Sequence, residues 1–465
     1  MTATSVEPLT TARIAARIDR LPLTWTQWRL ALLTQFFWGL IVSVDGTPAK
    51  LYPFVWGPQH DFGPAAFSVL LAVGNGAGLI IGEYLVSLVS DRFGRRTAMI
   101  TSALIVALLL WPTALTHNYD LLMLFFFLSS FGIGGMISTS VVYMGELVSP
   151  RQRGRVMLAS QIVAVVIFGL LGNLPNLFWV PAHYQWVIYL YCVLAFIIIV
   201  PVTLWAMPES PRWLEAHGRY AQAEQVMERL ERECLRRSRQ TSLLEPDYSR
   251  YSVPVTEYVP VKELLGGQYG RRTILLLIVW ILFYSGIFYG FGGYEPSILH
   301  AFHLNSSLTF AVILVSTMFG GGVGLAFSSW IGERVERRKT IFVSALVNIV
   351  GLWLFFFFHS IVLSFVLVTI LWGAAQVLLF NLYNYSAASY PTRLRTTGVG
   401  MTDGLGHLGA IFGPIIVGAL YVATAHVGFA GWFAYITIVG CLIPASLLVT
   451  YGINQRRAVL EQIST

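Results

Sequence analysis

The most constraining feature of this chain is a series of apolar segments, each long enough to cross a lipid bilayer. A helix of about 20 apolar residues spans the hydrocarbon core of a membrane. Such segments occur in two groups of six around a polar stretch, and they lie near 28–48, 66–90, 97–116, 120–146, 156–180, 185–207, 272–298, 308–331, 340–358, 361–390, 398–424 and 429–451. The sequence therefore predicts an all-α membrane protein with twelve transmembrane helices in two six-helix bundles.

Composition excludes several classes of protein. Hydrophobic residues make up 56% of the chain and charged residues 11%, whereas a soluble domain has about 25% charged residues. The three cysteines are too few and too scattered for a disulfide framework or a structural zinc site. No Walker loop, HExxH, CxxC or GxSxG sequence occurs. We therefore expect neither an enzyme nor a resident cofactor or metal.

The basic residues predict how the chain is oriented. Of the 30 Lys and Arg, all except Lys50 fall in the tails and in alternate loops on one side of the predicted bundle. Basic residues stay on the cytoplasmic side during insertion, so both termini are expected to be cytoplasmic. The net charge of +7 is then a sign of topology, and a nucleic-acid partner is not expected. We predict a monomer, with several membrane crossings, in the plasma membrane.

The same map predicts five regions. A cytoplasmic tail at 1–27 precedes the first bundle at 28–207, and this tail lacks the apolar segment of a cleaved signal. A cytoplasmic linker at 208–271 contains Arg, Glu and Ala between 211 and 239, a composition that predicts one or two short amphipathic helices. The second bundle occupies 272–451 and a tail follows at 452–465.

An internal repeat relates the two bundles. Two sets of residues recur at an offset of 242 positions: Asp91, Arg92, Arg95 and Arg96 correspond to Glu333, Arg334, Arg337 and Arg338, and Arg151 and Arg153 correspond to Arg393 and Arg395. Parallel repeats of this kind are typical of transporters that bind substrate between two halves near the middle of the membrane.

Several motifs resemble one transporter family. DRFGRR at 91–96 resembles the loop signature of the major facilitator superfamily. GIGG at 132–135, GELVSPRQRGR at 145–155, PESPRWL at 208–214 and YPTRLRTTG at 390–398 are similar to the sugar-porter branch and to the organic-ion and aromatic-acid symporter branches. FYGFGGYEPSIL at 288–299 resembles the end of the seventh span in niacin-type carriers. The resemblance implies secondary transport by alternating access.

It also implies a gate at the cytoplasmic ends of the helices, where acidic and basic side chains hold the ends together until the site opens inward. The residues of the gate motifs are Asp91, Arg92, Gly94, Arg95, Arg96, Glu146, Arg153, Glu333, Arg334 and Arg338. We expect Glu146 to pair with Arg153 or Arg155. The alternative is that these charges only anchor the loops at the cytoplasmic surface. In the second repeat, Ala388 and Ser389 stand where an acidic residue equivalent to Glu146 would lie.

Ionisable residues inside membrane spans are costly and therefore mark candidate functional positions. Asp45 and Gly46 match the start of a DGxD signature that aromatic-acid symporters use for proton coupling, but Pro48 replaces its second Asp. Glu83 lies about 13 Å from the end of the second span, a depth that makes it a proton-carrier candidate. The alternatives are a hydrated carboxylate at a helix end for Asp45 and a local ion pair for Glu83. Glu295 ends the seventh span.

Asp403 and His407 are four residues apart and share one face of the eleventh helix. In the segment that GHLGAIFGP resembles, organic-anion carriers have Arg and organic-cation carriers have Asp at the position of His407. Histidine can be neutral or positive near neutral pH, so this residue leaves the sign of the substrate open. We predict that His407 and Asp403 contact substrate. A structural hydrogen bond is the alternative for His407.

Uncharged polar and aromatic residues are further candidates for the lining of the same site. They are Gln161 in the fifth span, Tyr284 and Tyr289 in the seventh, and Gln376, Asn381, Asn384 and Tyr385 in the tenth. Asn381, Asn384 and Tyr385 share a helix face by their spacing. The sequence favours proton-coupled uptake of an organic or aromatic carboxylate. A sugar transporter and a transporter-like nutrient receptor, with 208–271 as its output, are the alternatives.

Overall fold

A computed structural model describes residues 12–60, 62–180, 182–238, 240–247, 264–332, 334–358, 360–390, 392–423 and 435–453, and these ranges contain helices and no β-strand. The first part contains α1 Ala12–Asp19, α2 Trp25–Asp45, α3 47–60, α4 Pro64–Phe93, α5 Arg95–Ala114, α6 Tyr119–Leu147, α7 Pro150–Trp179, α8 Tyr184–Ala206, α9 Pro211–Ala216 and α10 Tyr220–Ser238. The second part contains α11 267–301, α12 306–332, α13 Arg337–Phe357, α14 Ile361–Ala388, α15 Thr392–Gly406, α16 Gly409–Ala423 and α17 Ile436–Tyr451.

Most of these helices are suited to a membrane. Within the described ranges, nine stretches are long and apolar enough to cross one: α4, α5, α6, α8, α11, α12, α13, α14 and the stretch Gly398–Leu420 of α15 and α16. The helices α7 and α17 have shorter apolar stretches, and α2 covers the first predicted span. The all-α prediction is therefore confirmed for the described residues, while the number of crossings stays a prediction.

Close contact between helices α4 and α6 holds the first half together. At Gly82 in α4, a Cβ atom would lie 2.6 Å from both the carbonyl carbon and the Cα of Phe131 in α6. Backbone at that distance cannot yield in the way a flexible side chain does. Small residues at such positions let membrane helices approach closely, and this approach is a main source of their association.

We expect Gly82→Ala to destabilise the protein by about 1–3 kcal/mol, the usual cost of overpacking. The measurement is thermal unfolding in detergent, where the variant should melt at a lower temperature. Gly145→Ala is the matched control, because a Cβ on Gly145 of α6 meets nothing within 4 Å. Equal melting temperatures for the Gly82 variant and the parent protein would contradict this packing.

The short helix α1 is fastened to the linker helix α10 by charged residues. The Arg17 guanidinium bonds to Glu224 at 2.6 Å and to Glu231 at 2.8 Å, and Arg20 bonds to Glu231 at 2.7 Å. Burial alone would raise the pKa of Glu231, but the hydrogen bonds from Arg17 and Arg20 outweigh it and hold that pKa below its ordinary value. The predicted N-terminal tail thus contains a helix that packs on the linker.

Glu215 in α9 is a second carboxylate at this contact. Its Oε1 accepts a hydrogen bond from the backbone nitrogen of Ile14 at 3.3 Å. Burial raises the pKa of Glu215 to about 7, against the opposing effects of that hydrogen bond and of nearby arginines. The folded protein therefore binds more protons at this residue than an unfolded chain does between pH 4.5 and 7, and stability falls as the pH rises through that window.

We expect Glu215→Gln to stabilise the protein at pH 8, by on the order of 2 kcal/mol, and to change little at pH 5. The neutral amide keeps an acceptor for Ile14 and has no charge to bury. Melting curves at the two pH values test this, with Glu228→Gln on an exposed side of α10 as the control. A gain of equal size at both pH values would contradict the assignment.

Candidate substrate and proton site

Three ionisable side chains of the two halves lie within electrostatic range of one another. Glu83 projects from α4 of the first half, and Asp403 and His407 come from the α15 region of the second half. Glu83 is close enough to both for electrostatic interaction. Helix α4 also touches α16 directly, since a Cβ on Gly76 of α4 would lie 2.8 Å from the carbonyl oxygen of Ala410 in α16. The structure thus brings together residues more than 300 positions apart in the sequence.

Two tyrosines hold Asp403. The hydroxyl of Tyr284 in α11 donates to Asp403 Oδ1 at 2.8 Å. The hydroxyl of Tyr383 in α14 lies 3.2 Å from Oδ1 and 3.1 Å from Oδ2, and the two hydroxyls are 3.2 Å apart. Asp403 therefore joins three helices of the second half, and a change in its protonation would alter hydrogen bonds on all of them.

His407 is 8% exposed and lies against an aromatic surface. Its ring is 4.3 Å from the ring of Tyr284 at 30°, and 6.3 Å from that of Tyr289 in an edge contact. Nδ1 lies 3.1 Å from the backbone carbonyl oxygen of Asp403, so Nδ1 carries the hydrogen of that bond. Nε2 then accepts a hydrogen bond when the ring is neutral and donates one when the ring is charged. No residue of the described ranges hydrogen-bonds to Nε2.

The span predicted at 398–424 is present as the apolar stretch Gly398–Leu420, but its helix is interrupted beside His407. Helix α15 ends at Gly406 and α16 begins at Gly409. The hydrogen bonds tighten there, with Leu408 N bonding to Leu405 O at 3.0 Å and Ala410 N to His407 O at 2.8 Å. The glycine-rich sequence around these residues has low helix propensity. Interrupted helices of this kind frame the binding sites of many transporters.

The residues predicted to line the site from the tenth span bond to other parts of the second half. Asn381 donates to Ser328 Oγ of α12 at 2.9 Å, and Tyr385 donates to the carbonyl oxygen of Ile453 at 3.2 Å. Asn384 donates back to Phe380 of its own helix at 2.9 Å. Tyr383 makes the contact with Asp403 instead, because it lies about 200° around the helix from Asn381. Sequence reasoning missed Tyr383, and no pattern in the sequence distinguishes it.

The remaining predicted lining residues are spread more widely. Gln376 in α14 is half-buried and lies seven residues before Tyr383, on the same helix face. Gln161 in α7 is half-buried too. Tyr289 lies in the wider π-helical stretch Tyr284–Phe291, and such stretches often occur at functional sites. The side chain of Asp45 is outside the described part of the structure.

The gate motif of the first half forms one network within that half. Arg95 bonds to Asp91 at 2.5 Å and to Glu146 at 2.8 Å, which links α4, α5 and α6. The partner that we predicted for Glu146 was Arg153 or Arg155, whose side chains are not among those described. The side chain of Asp91 is 70% exposed and that of Arg95 is 10% exposed. Water therefore hydrates the carboxylate of Asp91, while the guanidinium of Arg95 is buried.

Sequence reasoning also missed that PESPRWL docks on DRFGRR. Glu209 accepts hydrogen bonds from the backbone nitrogens of Arg95 at 2.9 Å and Arg96 at 3.2 Å, at the N-terminus of α5, where a negative charge is favourable. Gly94 has a φ of 108°, and a Cβ there would collide with Glu209. The motif therefore requires glycine at this position, and Glu209 caps the helix.

The other motif residues lie at the same end of the bundle. Arg96 donates to Thr203 O at 3.2 Å and to Leu204 O, and Arg92 lies over the Phe93 ring at 5.3 Å. In the second half, Arg338 pairs with Glu336 at 2.7 Å and Arg334 lies over the Trp330 ring at 4.7 Å. Glu333 is outside the described residues. All the motif ion pairs in the described ranges stay within one half.

A sequence model of the Major Facilitator Superfamily matches residues 30–414, with a second match at 291–459. The chain belongs to this superfamily. It is therefore a membrane transporter rather than an enzyme, and it crosses the plasma membrane several times, as predicted.

Individual relatives are similar over nearly all of their length. The niacin transporter NiaP of Acinetobacter baylyi is 26% identical over 97% of this chain and 99% of its own. The gallate transporter of Pseudomonas putida is 26% identical over 87% of each chain. Among solved structures, the inward open conformation of the xylose transporter XylE from E. coli has a TM-score of 0.69 at 15% identity, covering 94% of this chain and 98% of its own. That similarity concerns the fold.

Proposed function

We propose that the protein takes up an aromatic carboxylate together with protons, by alternating access of the two halves. The observation that carries this proposal is the cluster of Glu83, Asp403 and His407 at the boundary between the halves, with the Tyr284 ring 4.3 Å from that of His407. A substrate bound between the halves contacts both of them, so its binding can affect their relative movement.

The chemistry of the cluster fits a ring with a carboxylate. Tyr284 and Tyr289 offer ring surfaces for offset or edge contact with an aromatic substrate. The Nε2 of His407 offers a hydrogen bond, and with a second proton the ring also offers a positive charge to the carboxylate. The role of Asp403 is then indirect: it positions Tyr284, and its carbonyl oxygen orients the imidazole.

The two acidic residues supply a reason for proton coupling. A carboxylate substrate that enters beside Glu83 and Asp403 would place several negative charges close together in a medium of low polarity, which is unfavourable. Protons on these groups or on His407 remove that penalty. Substrate and protons therefore bind in a mutually dependent way, which is the basis of symport. Asp45 is a further proposed proton site.

The relatives support this substrate class, since niacin and gallate are both aromatic carboxylates. The motif resemblance to sugar porters makes sugars the alternative. The proposed topology has twelve spans, with both termini and the regions 1–27, 208–271 and 452–465 in the cytoplasm. The arginine-rich end of the bundle, defined by the loop at 91–96 and by α9 and α10, is then the cytoplasmic end. We propose that the protein acts as a monomer.

Thermal stabilisation of the purified protein by candidate ligands tests the substrate class. Aromatic carboxylates are expected to raise the melting temperature, and more at pH 5.5 than at pH 8, while matched neutral amides, sugars and organic cations are not. Stabilisation by a sugar alone would replace this proposal with the sugar-transporter alternative. Counterflow of a labelled ligand in liposomes would then separate a transporter from a receptor, because a receptor that moves no solute gives none.

A further inference from the structure

A buried carboxylate lies far from the cluster, at the end of the bundle opposite to the arginine-rich end. Glu295 of α11 is 3% exposed. Its Oε2 accepts a hydrogen bond from the indole nitrogen of Trp372 in α14 at 2.8 Å. Its Oε1 is buried and has no hydrogen-bond partner among the described residues. An ionised carboxylate held by one neutral donor is costly to bury, so Oε1 is a suitable place for a proton.

The position of Glu295 is where the two halves close on each other. Residues 292–301 of α11 pack against residues 47–56 of α3 in the first half. The neighbouring Tyr294 hydroxyl lies 2.6 Å from Ser68 Oγ of α4, and the Phe54 ring of α3 contacts the ring of His300 at 4.9 Å. Separation of α3 from the end of α11 would therefore expose Glu295 to water.

Lys50 in α3 is the basic group of the first half that acts on Glu295 electrostatically. No ion pair within 4.0 Å joins Glu295 to a cation of the described residues. Lys50 is also the one basic residue that the sequence places on this side of the membrane. A positive charge nearby favours the ionised carboxylate once water enters, while closure favours the neutral one.

Other titratable groups lie near the contact between α3 and the end of α11, and their effects must be distinguished from that of Glu295. They are Tyr52 on α3 and Tyr289, Tyr294 and His300 on α11. The part of α12 that packs against the end of α11, Ser306–Val315, contains no titratable residue. The titratable residues of α14, Tyr383 and Tyr385, lie near its C-terminal end, away from Trp372. Of these, His300 is the histidine, and its side chain is exposed.

The helices α11 and α14 relate Glu295 to the central cluster. Glu295 is 11 residues from Tyr284 on α11, and its partner Trp372 is 11 residues from Tyr383 on α14. Each separation is about 16 Å along a helix. Side chains of α11 and α14 thus surround a carboxylate at two depths in the membrane. Glu295 lies at the outer depth and Asp403 at the inner one.

We propose that Glu295 is an outer proton-binding site of the transport cycle. When α3 and the end of α11 separate, the carboxylate takes a proton from the extracellular water on Oε1 to give the neutral acid. The halves then close over it without burying a charge. When α3 and the end of α11 separate again, Oε1 can return the proton to the extracellular water. This step rests on the proposed proton coupling, because it supplies the link between external acidity and closure.

The test is the access of an external reagent to a cysteine at position 54. Phe54→Cys is introduced on α3, and whole cells are treated with a membrane-impermeant maleimide between pH 5 and pH 8, with rates corrected for intrinsic thiol reactivity. The three native cysteines are buried, and the protein without the new cysteine gives the background. Labelling is expected to fall as the external pH falls, because protonation of Glu295 favours closure.

Glu295→Gln mimics the neutral acid and keeps an oxygen for Trp372. Its labelling at pH 8 is expected to drop to the level that the parent shows at pH 5, with no further dependence on pH. Lys50→Gln is expected to move the response to higher pH, because a favourable partner of the ionised form is lost. His300→Gln is the matched control and should keep the response. A pH response that persists in Glu295→Gln, or that disappears in His300→Gln, would overturn the proposal.

Two measurements keep the outcome interpretable. Trp372→Phe removes the indole donor and, like Lys50→Gln, should shift the response to higher pH; unchanged responses in both variants would overturn the proposal even if Glu295→Gln failed to fold. Stabilisation by aromatic carboxylates is measured separately. If no carboxylate stabilises any variant, the proposed substrate fails while the labelling result still stands. If carboxylates bind but labelling does not depend on Glu295, only the outer proton site fails.

Discussion

Replacing His407 by Gln is expected to weaken binding of an aromatic carboxylate by about 10- to 100-fold, the range that loss of a hydrogen bond to a charged group produces. Glutamine is similar in size but never carries a positive charge. In the structure, Nδ1 of His407 donates a hydrogen bond to the carbonyl oxygen of Asp403, so Nε2 is the ring nitrogen left to bind substrate. The measurement is the ligand concentration needed for half-maximal thermal stabilisation at pH 5.5.

The variant His183→Gln is the control for this experiment, because His183 is exposed at the start of α8 and distant from α15 in the sequence. It should bind with unchanged affinity. Dependence on pH gives a second readout: the parent is expected to bind more tightly as the pH falls, and His407→Gln should lose part of that dependence. Unchanged affinity in His407→Gln would assign this histidine to the structural hydrogen bond alone.

Replacing Glu83 by Gln is expected to abolish acid-driven accumulation while leaving counterflow. Glu83 is the carboxylate that the first half places beside Asp403 and His407. Without a titratable group there, the empty and the loaded protein no longer differ in charge at this position. A proton gradient then cannot drive accumulation through this residue. Uptake of labelled substrate into vesicles with acid outside should fall to the level reached without a gradient.

Counterflow in the same vesicles requires binding and the conformational change but no net proton movement, so Glu83→Gln should retain it. Glu228→Gln, on the exposed side of the linker helix, should behave as the parent in both assays. Acid-stimulated accumulation that survives in Glu83→Gln would move the coupling role to Asp403, Asp45 or Glu295. Loss of both accumulation and counterflow would show that Glu83 is needed for binding or folding.

Much of the architecture followed from local properties of the sequence. The 20-residue apolar segments predict membrane helices because backbone polar groups in lipid must be satisfied internally. Helices α4, α5, α6, α8 and α11 to α14 confirm this where the structure describes them. The repeated motifs pointed to the superfamily, which the family match shows. In contrast, the break after Gly406 depends on a short glycine-rich run whose effect on a long apolar helix cannot be read from hydropathy.

The candidate site was only partly accessible from the sequence. Asp403 and His407 were identifiable as a pair because four residues make almost one helical turn. Glu83 was identifiable as a costly intramembrane charge, but its proximity to that pair was not. The face of α14 was assigned to Asn381, Asn384 and Tyr385, and Tyr383 contacts Asp403 instead. Helical spacing gives the residues that share a face and gives no information about what that face contacts.

The sequence alone determined the class of protein, the order of its helices, the motif-bearing end of the bundle and the small set of ionisable residues inside it. These depend on hydropathy, charge and spacing, which are properties of neighbouring residues. Tertiary structure decided which residues come together. Glu83 lies within electrostatic range of His407, and hydrogen bonds join Tyr383 to Asp403, Glu209 to the start of α5, and Glu295 to Trp372. Those contacts depend on how each helix is rotated against its neighbours, and packing over the whole bundle sets that rotation.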